Sequence, residues 1–159
     1  MRFTKTFCSV LLAILLSSLF LRAPSGPEIN FITPESGPNS GGESSRGTIV
    51  SIYGERFGAI QGTVTVGGGA VANYYSWTNT LIKVGIGGSA ATGSVVVTDN
   101  GALVSNGVLF TVRSGNLYFV SGTGNDTTGN GSFATPWLTL LKARAMQVAG
   151  DTIYAMNGS

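Results

Sequence analysis

Between residues 24 and 113 the aliphatic residues recur at every second position in short runs, and a glycine or an Asn-Gly pair closes nearly every run. Side chains of a strand point alternately to opposite faces, so each run offers one aliphatic face for burial. Val50 and Ile52 share a face, as do Val64 and Val66, then Ile82, Val84 and Ile86, then Val95 and Val97. No segment in this stretch carries the roughly 3.6-residue period of an amphipathic helix. The runs predict seven short strands, at 29–32, 48–53, 62–66, 73–77, 81–86, 93–98 and 109–112. Turn signals at Gly58, Gly67, Gly87 and Asn100-Gly101 separate them. Strands of this length with turns this frequent predict a mainly β chain built on a two-sheet antiparallel sandwich.

Such a sandwich must stand without covalent staples, because the only cysteine is Cys8. Each inward Val or Ile contributes roughly 1.5–3 kcal/mol of gross burial, so about ten of them offset much of the ordering cost. The chain has no histidine and only 10% charged residues. An imidazole base, a Ser/His/Asp or Cys/His nucleophile and a His- or Cys-built zinc site are thereby excluded.

Arg2 and Lys5 precede an apolar run from Phe7 to Leu21 broken only by Ser9, Ser17 and Ser18, which reads as a secretory signal peptide over residues 1–23. Cys8 falls inside it. The run is shorter than the roughly 20 residues of a membrane-spanning helix, so export without a stable membrane span is expected, an uncleaved signal anchor being the alternative. Taking Arg2, Lys5 and Arg22 from the nine basic residues leaves six against seven acidic ones, a net of about −1. A chain so near neutrality lacks the Lys/Arg density that phosphate neutralisation needs, and no nucleic-acid partner is expected. Residues 24–26 read as a linker into the first strand, and secretion or cell-surface display as the destination.

Ile32-Thr-Pro34, Gly37, Gly41-Gly42, Val50-Ser-Ile-Tyr-Gly54, Phe57-Gly58, Val64-Thr-Val-Gly-Gly68, Ile82, Gly93, Val95-Val-Val97, Gly101, Ser105-Asn106 and Phe110-Thr-Val112 follow one another in an order that resembles the IPT/TIG family of immunoglobulin-like domains. The resemblance covers residues 27–113 and implies an Ig-like sandwich. Gly87 departs from it, standing where such domains often have proline.

Residues 114–159 follow other rules. Leu117–Val120 predicts a strand, and Gly122–Ser132 is a loop of Gly, Asn, Asp and Thr. Thr135 and Pro136 offer a cap and a first helical residue, and Leu138, Leu141, Ala145 and Val148 would mark one helix face before Gly150 stops it. Asp151–Ala155 opens another strand. Tyr118-Phe-Val-Ser121, Gly124-Asn-Asp126, Gly129, Pro136-Trp-Leu-Thr139, Ala143 and Ala149-Gly-Asp-Thr-Ile-Tyr154 resemble the N-terminal cap of pectin-lyase-like right-handed parallel β-helix proteins. That resemblance implies a capping helix and the first strand of an incomplete β-helix domain over 114–159. A solenoid coil buries its apolar face only against neighbouring coils, so the segment is expected to have no core of its own, to exchange amide hydrogens readily and to be truncated.

Tyr74, Tyr75 and Trp77 form the densest aromatic group and are the candidate ligand-binding residues, because sugar C–H faces stack on aromatic rings. Regular alternation would place Tyr75 and Trp77 on one face and Tyr74 on the other. Core packing, ligand contact and interdomain packing are all compatible with that. Asn125 and Asp126 could lend oxygens to calcium, which takes six to eight, or could simply bond nearby backbone in a turn. Asp151, beside Gly150, offers the same choice between a turn role and a catalytic acid. Asn125-Asp-Thr127, Asn130-Gly-Ser132 and Asn157-Gly-Ser159 fit the glycosylation sequon.

By resemblance, β-helix polysaccharide lyases hold calcium on Asp/Glu clusters and use Lys or Arg as base along later coils. None of those positions matches a residue of this sequence, so no catalytic, cofactor or metal residue is assigned, and calcium is an expectation only for the region beyond residue 159. Three functions follow. One is a secreted non-catalytic binding or spacer module ahead of a carbohydrate-associated β-helix. Another is the leading part of a secreted polysaccharide lyase or glycoside hydrolase, and the third is a cell-surface protein that contacts other proteins.

Overall fold

The computed structural model describes residues 25–156. The expected leader with Cys8 and the third sequon lie outside the described residues. Among the described residues there are eleven strands, β1 Glu28–Thr33, β2 Ser36–Gly37, β3 Ile49–Glu55, β4 Thr63–Val66, β5 Gly69–Ala70, β6 Asn73–Trp77, β7 Leu81–Gly85, β8 Gly93–Thr98, β9 Val108–Val112, β10 Leu117–Val120 and β11 Thr152–Ala155, and one α-helix, α1, at Leu140–Met146. All seven strands predicted before residue 113 form. The additions there, β2 and β5, have two residues each, too few for a periodic pattern.

β1, β3, β7 and β6 make a four-stranded antiparallel sheet in that order, and β2, β9, β8, β4 and β5 make the second. The second sheet departs from the antiparallel expectation in one place, where β2 runs parallel to β9. The chain leaves β1 after Thr33, and the carbonyl of Glu35 already accepts from the Thr111 amide in the opposite sheet. The chain thus passes from β1 in one layer to β2 in the other across Pro34 and Glu35.

The aliphatic faces expected to be buried are buried. Val50, Ile52, Val66, Ile82, Val84, Val95 and Val97 are fully enclosed together with Phe57, Phe110 and Ile86. Both edge strands of the first sheet, β1 and β6, are irregular: the register slips between Ile29 and Phe31 and again between Tyr74 and Ser76. A bulge adds one residue on one strand and inverts the alternation beyond it, and bulged edges discourage pairing with other chains. Ile29 and Ile32, an odd spacing apart, therefore both point inward while Phe31 is exposed. The Asn106 amide braces that bulge, its oxygen accepting from the Ile29 amide at 2.7 Å and its nitrogen donating to the Ile29 carbonyl at 2.9 Å.

Beyond the sandwich, β10 and β11 pair in parallel, Leu117 with Thr152 through Val120 with Ala155. The helix between them starts later than Thr135-Pro136 predicts. Trp137 is held extended beside β10, its amide donating to Phe119 and its carbonyl accepting from Ser121, so that stretch cannot coil. Thr139 is the N-cap instead, its hydroxyl accepting from the Lys142 amide at 3.1 Å. The expected apolar face is also corrected. Leu138, Leu141 and Val148 are exposed, and Ala143 is the buried residue of α1. The segment nevertheless has a small core, contrary to expectation: Val120, Trp137 and Ala143 are buried, with Tyr118 and Ile153 packed on them.

Candidate functional site

The bulge in β6 decides what the aromatic group can do. Tyr74 opposes Val84 and Trp77 opposes Ile82, both core positions, and Tyr75 is the extra residue between them. The sequence expectation that Tyr75 and Trp77 share a face is thereby overturned: Tyr74 and Trp77 share the inner face. Their rings sit 5.9 Å apart, tilted by 55°, and pack against the core. The Tyr74 hydroxyl crosses to the other sheet and accepts from the Val64 amide at 2.8 Å, and burial pushes the phenol above its usual pKa range. Trp77 donates from Nε1 to the Gly58 carbonyl at 3.1 Å.

Tyr75 alone turns outward, 37% exposed. The Arg46 guanidinium lies 5.7 Å from its ring centre, a cation–π distance, and Arg46 is paired with Glu43 at 3.0 Å. The Tyr75 hydroxyl donates weakly to the other oxygen of Glu43 at 3.4 Å. The three aromatics therefore make no continuous platform. What faces solvent is one tyrosine covered on one side by an ion pair.

On the outer face of the same sheet, Phe31 of β1 stacks on Tyr53 of β3 with ring centres 4.6 Å apart and an angle of 12°. Tyr53 opposes Leu81 of β7 in turn, so an apolar row crosses three strands. Sequence reasoning missed this row. The signal was the odd spacing of Ile29 and Ile32, which can both be buried only if Phe31 is turned out.

The polar candidates resolve into local structure. Asn125 closes a turn, its side-chain oxygen accepting from the amides of Thr127 and Thr128 at 2.8 and 2.9 Å. Asp126 accepts from the Thr139 hydroxyl at 2.6 Å and from the amides of Leu138 and Thr139. The Thr139 hydroxyl, aided by those amides and by Lys142, holds the carboxyl below its ordinary range. Asp151 accepts from the amides of Val148 and Asn116 at 2.8 and 2.7 Å, and those bonds, Val148 first, depress it likewise. Asp126 thus ties its loop to the start of α1, and Asp151 joins its own turn at Val148 to Asn116. Among the described residues no group of three His, Cys, Asp or Glu is placed to hold a metal ion, and no helix is long and apolar enough to cross a membrane.

Residues 27–112 match the model of the IPT/TIG domain, and the bulged two-sheet geometry over those residues agrees with it. The chain belongs to the IPT/TIG family. Within the IPT/TIG domain, Gly87 adopts φ +70°, and a Cβ there would stand 2.4 Å from that of Ala72, so a glycine serves this turn. Among solved structures, the chain is similar to the crystal structure of a gamma-CGTase from alkalophilic Bacillus clarkii, with 24% identity and a TM-score of 0.49. That similarity covers 64% of this chain and 15% of the other. No curated protein matches the chain.

Proposed function

We propose that the IPT/TIG sandwich of this chain is a secreted, non-catalytic module that serves as a spacer or binding unit ahead of a carbohydrate-associated parallel β-helix. The observation that carries the reading is the pairing of β10 with β11. They run parallel across a connection containing α1, as successive parallel strands must, and a parallel pair needs cover on its faces. Leu140, Leu141 and Val148 stay more than half exposed around α1, apolar surface suited to further coils. Within the sandwich, the outward Tyr75 and the Phe31–Tyr53 stack are the aromatic surfaces suited to a neutral polysaccharide or a cell-surface protein.

The test uses residues 24–159 passed over pectin, alginate and cellulose matrices. Retention weakened by Tyr75→Ala or Phe31→Ala assigns a binding role to the outer face. No retention on any matrix removes glycan binding and leaves the spacer role. Release of unsaturated or reducing sugar ends by this chain alone would overturn the non-catalytic reading.

A further inference from the structure

The joint between the sandwich and the segment after it is built rather than flexible. β3 continues two residues past the end of its pairing with β1, because β1 stops at Thr33, opposite Ser51. In that register Ile49 would face Glu35, but Glu35 has already joined the other sheet. On the other flank Thr48 bonds Ile86, so the peptide groups of Ile49 face the gap that β1 leaves. Tyr154 of β11 reaches into that gap. Its hydroxyl accepts from the Ile49 amide at 2.8 Å and donates to the Ile49 carbonyl at 3.4 Å, replacing both partners of the missing strand residue.

Three further contacts close the same joint. Arg113, at the end of β9, donates from Nη1 to the Gly150 carbonyl and from Nη2 to the Thr152 hydroxyl, while its Nε is held by Ser36. Gly115 and Gly150 meet backbone to backbone: a Cβ on Gly115 would stand 2.1 Å from the Gly150 carbonyl oxygen. Leu117, 6% exposed, lies over Gly42, where a Cβ would stand 2.9 Å from its Cδ1. A four-residue connector bound on both flanks has little freedom to hinge.

We infer that the Tyr154 phenol is a latch that completes the open end of β3 and locks the sandwich and the β10–α1–β11 unit into one rigid body. It deepens the spacer reading by making the spacer hold a fixed angle, and the latch can be tested apart from any glycan.

Residual dipolar couplings and amide exchange on residues 24–159 test it. Couplings from β3, β7 and β8 and those from β10 and β11 should fit one alignment tensor. In Tyr154→Phe the Ile49 amide should exchange about 5- to 10-fold faster while Ile52 is unchanged, the loss expected for one hydrogen bond. Two tensors in the unaltered chain would overturn the rigid joint. One tensor together with unchanged Ile49 exchange in Tyr154→Phe would overturn the latch. Glycan retention enters neither outcome, so failure of the binding reading leaves this test intact.

Discussion

Replacing the three aromatics of β6 singly separates the bulged geometry from the regular strand that the sequence suggests. Trp77→Ala removes a half-buried indole that packs on Tyr74 and the core and donates to Gly58. Full Trp→Ala truncation in a core costs about 3–5 kcal/mol, and partial exposure places this one near about 3. Tyr74→Phe keeps the ring but leaves the amide of Val64, which is 2% exposed, without its acceptor. That costs about 1–3 kcal/mol. Tyr75→Ala forfeits a solvent-side cation–π contact worth about 0.5–1 kcal/mol and a weak hydroxyl contact. For a sandwich of this size about 3 kcal/mol lowers the melting temperature by about 12–24 °C. Urea and thermal unfolding followed by circular dichroism give the ranking, since removal of Trp77 compromises fluorescence of the sandwich. The expected order of loss is Trp77→Ala, then Tyr74→Phe, then Tyr75→Ala. If Tyr75→Ala cost as much as Trp77→Ala, the two would share a face, and the bulge would be refuted.

Two other outcomes concern the joint and the last unit. Gly115→Ala forces a side chain onto φ +154° and against the Gly150 carbonyl, so about 1–3 kcal/mol of docking should be lost. Protease cleavage at 113–116 should appear before any change in the sandwich, and an uncut connector would contradict the close approach. Acid should loosen the last unit first. The carboxyls of Asp126 and Asp151 are held below their ordinary value of 3.8, so the stability they contribute is complete above that value and is lost as pH falls through their folded-state values. Trp137, 2% exposed in that unit, should report the change by fluorescence in the Trp77→Ala background. Asp151→Asn should flatten it, and a Trp137 signal that never precedes the loss of sandwich circular dichroism would sink the expectation.

Strand existence was legible because a face of Val and Ile recurring at every second residue has one economical use, burial against a second such face. Val64 and Val66, or Val95 and Val97, needed no tertiary information to be placed inside. The turn at Asn125 was one of two roles its sequence allowed, and the folded chain takes it, since a short polar side chain bonds backbone two and three residues on; the bond from Asn116 to Asp151 crosses 35 residues and had no local signal. Tyr74 and Trp77 were misassigned because a bulge depends on the partner strand, and nothing within β6 marks it. The helix start was displaced from Pro136 to Leu140 because Trp137 found a place beside β10, a contact that intrinsic capping preference does not register.

By itself, then, the amino-acid order settled the aliphatic interior, the number of main strands, the lack of an imidazole and the change of character after residue 113. Those properties reside in local periodicity and composition, which each segment carries wherever it lies. Only the folded arrangement decided which aromatics face solvent, how the chain passes from β1 in one sheet to β2 in the other, and how Tyr154 meets Ile49 across more than a hundred residues. Each of these depends on how segments distant in sequence pair or meet, and that is fixed only after both have been placed.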